Sequence, residues 1–69
     1  MKKTLKTHYG KDAEKVTIES TGKKLYGTAV WIDKNTGKYY AVERSTHLGR
    51  TIERAAEYGN LTKEEFEAL

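Results

Sequence analysis

A four-residue pattern occurs twice in this chain, as Ser20-Thr21-Gly22-Lys23 and Asn35-Thr36-Gly37-Lys38, each time between two alternating apolar runs. Glycine at the third place suits the left-handed residue of a type I turn closed by a G1 bulge, so both copies read as hairpin turns. The pattern predicts strands near residues 15–20, 24–33 and 38–44, an antiparallel meander. Residues 3–9 alternate as well, with Leu5, Thr7 and Tyr9 on one side, and supply a fourth strand.

Two such turns also imply a register. Ile18 would face Lys24, Val16 would face Tyr26, Ile32 would face Tyr40 and Val30 would face Val42. Side chains alternate along a strand, so Val16, Ile18, Tyr26, Val30, Ile32, Tyr40 and Val42 share one face, expected to be the core. The other face holds Thr17, Glu19, Leu25, Gly27, Ala29, Trp31, Tyr39, Ala41 and Glu43, with an indole and a phenol among small residues.

Beyond the third strand the period changes. Leu48, Ile52, Ala55 and Ala56 fall on one helical face, with Arg50, Glu53, Arg54 and Glu57 opposite. This predicts a helix over residues 47–58, capped by Ser45 or Thr46 and stopped by Gly59. Thr62-Lys63-Glu64-Glu65 is a capping box, and Leu61 and Phe66 form a hydrophobic staple, so a second helix is expected over residues 62–69. The predicted fold is therefore α+β: a three- to four-stranded antiparallel meander packed against two C-terminal helices, with residues 1–69 one compact domain and residues 1–3 frayed.

Size matters to stability here. A chain of 69 residues buries only about 60% of its unfolded surface, and with no Cys and two His neither disulfides nor a structural metal supplement the core. A partner is expected to carry part of the stability. The net charge of +3 is uneven: residues 1–24 carry +4, residues 25–44 carry +1 and residues 45–69 carry −2. A basic front and an acidic tail can attract a polyanion or complement a second copy of the same chain. No apolar run is long enough to span a membrane and no apolar h-region follows the first residues, so a cytoplasmic, soluble protein is expected.

Catalytic chemistry finds few candidates. Ser20 and Ser45 lie in a turn and at a cap, and the acids sit on solvated helix faces, so no catalytic residue is assigned. The Gly-Lys dipeptides lack the glycine five residues upstream and the following Ser or Thr that a phosphate loop needs. Asp33-x-Asn35-x-Gly37 misplaces the glycine of a calcium loop and has Arg44 where a bidentate Glu belongs. His8 and His47 stand 39 residues apart without ligand spacing, so no metal and no cofactor are expected. A helix-turn-helix reading fails because its second helix would carry −2 toward DNA.

The face bearing Trp31 and Tyr39 is the feature that points to a role. With Lys34, Lys38 and the predicted helix start from Arg44 through His47 to Arg50, it suits partner binding. The expected function is a small non-catalytic binding protein that acts by occupancy as an inhibitor or regulator, its partner a protein or a second copy of itself. The alternative is a nucleic-acid or nucleotide binder, with bases stacked on Trp31 and Tyr39 and phosphates met by the Lys and Arg side chains.

Overall fold

The computed structural model describes residues 1–8, 10 and 12–69. Among these the chain forms five strands, β1 (Lys2–Lys6), β2 (Lys15–Leu25), β3 (Thr28–Asp33), β4 (Lys38–His47) and β5 (Arg50–Glu57), followed by one short helix, α1 (Lys63–Glu67). All neighbours are antiparallel and the strand order follows the sequence. The architecture corrects the α+β expectation of a sheet backed by two helices. Residues 47–58 turn and form β5 rather than a helix, and the second expected helix shrinks to α1. The N-terminal strand is present as β1, while Tyr9, expected to end it, lies outside the described residues.

The reason residues 47–58 are not helical is local. Leu48 and Gly49 both hold positive φ, 52° and 76°, and form the two-residue loop that joins the pair His47↔Arg50. Positive φ at both loop residues is the signature of a type I′ turn, whose twist matches that of its flanking strands. Gly49 would have cost a helix interior about 1 kcal/mol. As a turn residue it costs nothing.

The first repeated turn is also reassigned. Gly22 does hold positive φ, but it sits inside β2: the pairing passes from Ser20↔Trp31 to Lys24↔Ala29, so four steps on β2 oppose two on β3. The extra residues form a bulge, which bends a strand and raises its twist. Thr21 pins it, its hydroxyl donating to the Val30 carbonyl at 2.7 Å and accepting from the Lys23 amide at 3.2 Å. The chain reverses later, at Tyr26-Gly27, a second loop with positive φ at both positions.

The Asn35-Thr36-Gly37 turn stands where expected. Gly37 and Thr36 amides donate to the Asp33 carbonyl, and the buried Asp33 carboxylate accepts from the Asn35 amide at 2.9 Å. Its register is one residue off the expectation, however. Ile32 pairs with Tyr39 and Trp31 with Tyr40. A one-residue slip exchanges the faces of a strand.

Trp31 therefore points inward, with Ile18, Tyr40 and Ala55, and Leu5, Val16 and Val42 pack against them. The sheet curls around this cluster until its outer strands meet: Lys3 of β1 reaches Glu53 of β5 at 3.1 Å, and Arg54 donates to the Thr7 carbonyl at 3.0 Å. On the convex side Val30, Tyr39 and Ala41 are also buried. Phe66 of α1 stacks on Tyr39 with ring centroids 4.6 Å apart. Thr62 caps α1 with a complete capping box, and Lys23 from the bulge donates to the Phe66 and Glu67 carbonyls at its other end.

Candidate functional site

The molecule is larger than its mass requires. Its accessible surface is 5242 Å², about 800 Å² above what the scaling law gives a chain of 7.9 kDa. Its radius of gyration is 12.3 Å against about 11 Å for a compact chain of this length, and its extents are 39 × 24 × 23 Å. The cause is a projecting arm. The β3–β4 ladder ends at Trp31↔Tyr40, whereas β4 and β5 continue together through Arg44↔Glu53, Ser45↔Ile52, Thr46↔Thr51 and His47↔Arg50. Residues 43–51 are all exposed.

At the tip of the arm stands Leu48, 89% exposed in left-handed backbone. Behind it, Arg44 Nε lies 3.0 Å from Glu53, and Arg54 lies 3.0 Å from Glu43. Arg50 has no ion-pair partner among the described residues. Hydrogen bonds from Arg44 and then Lys3 hold the Glu53 carboxyl below the ordinary carboxylate range. One side of the arm is concave, with Ile52 on its floor and Ser45, Thr46 and His47 around it.

A second feature lies at the far end of β5. Leu25 and Tyr26, on the β2–β3 tip, face Tyr58 and Leu61 across an open groove of about 330 Å³, with Glu57 and Glu65 on its border. Tyr26 repeats the oddity of Leu48, with φ 50° and 98% exposure. In type I′ turns this place usually belongs to Asn, Asp or Gly, because a larger side chain there is strained.

The residues singled out from the sequence are dispersed. Trp31 is 9% exposed inside the curl, beneath Lys3, whose ammonium lies 5.6 Å from the ring centroid. Tyr39 is 6% exposed under Phe66. The aromatic face expected to look outward is therefore covered on both sides of the sheet. Lys34 is bound to Glu19 at 2.9 Å and Lys38 to Glu57 at 3.7 Å, at the opposite end of β4 from the tip. His47 and Arg50 do come together, as a cross-strand pair on the arm rather than at a helix start, while Arg44 lies on the opposite face of the same arm, against Glu53. Tyr26, expected on the core face, and Leu48, expected on the apolar face of a helix, stand exposed at turns instead; Leu48-Gly49 and Tyr26-Gly27 are X-Gly dipeptides between alternating runs, the local mark of a tight hairpin.

Among the described residues no helix is long and apolar enough to cross a membrane, and no three His, Asp or Glu side chains gather where one metal ion could reach them. Comparison with protein-family models, curated proteins and solved structures finds no match.

Proposed function

We propose that this chain is a non-catalytic binding protein that acts by occupancy, and that its contact element is the β4–β5 arm. The observation that carries this reading is Leu48: an apolar side chain held in strained backbone at the outermost turn of an arm whose residues 43–51 are all exposed. Leu48 is almost fully exposed, so its side chain gains little burial in return. Strain of this kind concentrates at functional positions, where a partner supplies the compensating contact. Arg50 beside it favours a partner whose surface is apolar at its centre and acidic at its rim, a common interface anatomy.

Burial of Trp31 and Tyr39 removes the stacking platform on which the nucleotide alternative rested. The arm's arginines could still meet phosphates, but sequence-tolerant binding of single strands needs exposed rings as well as charge.

The test is a photoreactive amino acid placed at position 48, with a control at Lys15 on the body of the sheet. Cross-linked products are expected from position 48 and should disappear when Arg50→Glu is added. Equal yields from both positions would overturn the reading.

A further inference from the structure

We infer that the arm's partner is a second copy of this chain, with Leu48 of one copy seated in the groove between Tyr26 and Leu61 of the next. This rests on the arm being the contact element and identifies what the arm meets. The two strained, exposed apolar residues among those described, Leu48 and Tyr26, belong to the two halves of one contact: a knob at the arm tip and a wall of the groove. The groove, at about 330 Å³, is roomy enough for a leucine side chain and offers it Leu25, Tyr58 and Leu61, set among the polar Glu57, Asn60 and Glu65.

Charge matches on both sides. The arm tip presents Arg50, which has no ion-pair partner among the described residues, while the groove is bordered by Glu65 and by Glu57, itself 3.7 Å from Lys38, with Glu64 and Glu67 on the adjoining helix. Opposed potentials of this kind steer two surfaces together and set their register. The contact is made between molecules because the geometry forbids it within one. Knob and groove lie at opposite ends of β5, seven residues apart, up to about 23 Å along the strand. Each copy offers one knob and one groove, so the association is head-to-tail and propagates into a chain or closes into a ring.

The experiment is absolute mass by light scattering and sedimentation over a range of concentrations up to about 1 mM, the weak limit of a specific contact. The wild-type chain should exceed its 7.9 kDa monomer mass increasingly with concentration. Leu48→Asp should raise the concentration needed by about 10- to 100-fold, as loss of a central apolar anchor does. Leu61→Asp in the groove should do the same, with Glu57→Lys as a surface substitution that leaves the core untouched should Leu61→Asp fail to fold. Decisively, the tip variant mixed with a groove variant should form a 1:1 heterodimer and stop there, since one intact knob meets one intact groove. A wild-type chain that stays monomeric throughout overturns the inference, as does an assembling wild type whose mixed variants do not pair. Mass gained only when an oligonucleotide is added also overturns it, and assigns the arm to nucleic acid. If position 48 cross-links to another molecule while the chain stays monomeric, the arm remains the contact element and only the assignment of a second copy as its partner falls.

Discussion

Leu48 and Tyr26 each hold a backbone conformation that a bulky L-residue adopts at a cost of about 1–2 kcal/mol. Asn tolerates the same conformation far better. Leu48→Asn and Tyr26→Asn are each expected to stabilise the isolated chain by about 1 kcal/mol, a rise of about 4–8 °C in Tm for a domain of this size. Thermal melts on dilute samples check this, and a fall in Tm would mean that the side chains contribute to the fold itself. Trp31 behaves oppositely. On the register expected from sequence, Trp31→Ala would trim a contact surface, but with the indole inside the curl it removes the largest side chain of the central cluster. The expected loss is about 3–5 kcal/mol, against a total stability of about 5–15 kcal/mol for ordinary domains. Loss of near-ultraviolet dichroism and a sharply lowered urea midpoint would show it; an unchanged midpoint would contradict the buried placement. One residue of slip in the Asn35–Gly37 hairpin separates the two outcomes, and the alternation around it is compatible with either.

Among the elements, β5 stands where the periodicity predicts a helix, and α1 spans only Lys63–Glu67 of the helix expected over residues 62–69. The spacing of Leu48, Ile52, Ala55 and Ala56 fits a helix, but the same residues fit a strand that hides only Ala55 fully and leaves Ile52 on the arm. Periodicity over so few apolar positions does not discriminate, whereas Gly49 and the β-branched pair Thr51-Ile52 favour the strand. Amide exchange provides the check. Amides around Ala41↔Ala56 and Val42↔Ala55 should be protected, and those of residues 44–51 should exchange much faster, since the arm has no core beneath it. Helix α1 depends on its cap. Its capping box was legible because it is a contact between residues three apart, and Thr62→Ala is expected to cost about 1 kcal/mol. The loss should appear as a lower denaturant midpoint together with a change in Tyr39 environment as Phe66 lifts away.

For the whole molecule the decisive event is the approach of β1 to β5. Glu53 joins Lys3 to Arg44 across that closure, and Glu19 joins Lys2 to Lys34 at the other end of the sheet. Both carboxyls are held below their ordinary range, Glu53 chiefly by Arg44 and Glu19 chiefly by Lys34. A carboxylate depressed in the folded state adds stability that is complete above its unfolded pKa and disappears as pH falls through the folded one. Tm should therefore hold steady from neutral pH down to the ordinary carboxylate range and decline below it. Glu53→Gln should lower the neutral plateau and shallow the decline; an identical profile would mean that the bridge contributes nothing. These pairs are partly exposed, so added salt should weaken the same contribution.

The chain's own sequence was enough to determine the features made by neighbours along it: the hairpin at Asn35-Thr36-Gly37, the left-handed Gly22, the cap at Thr62 and the antiparallel meander. It did not determine which way the strands face. Both sides of β3 and β4 are apolar, Val30, Ile32, Tyr39 and Ala41 on one and Trp31, Tyr40 and Val42 on the other, so hydrophobicity alone cannot choose between them. Tertiary structure made that choice. The bulge at Gly22 bends β2, β1 closes on β5, and the interior so enclosed takes an indole where Ala55 leaves room for it, while Phe66 covers the other side. The arm was decided in the same way: it is the length of β4 and β5 left over where the rest of the sheet ends.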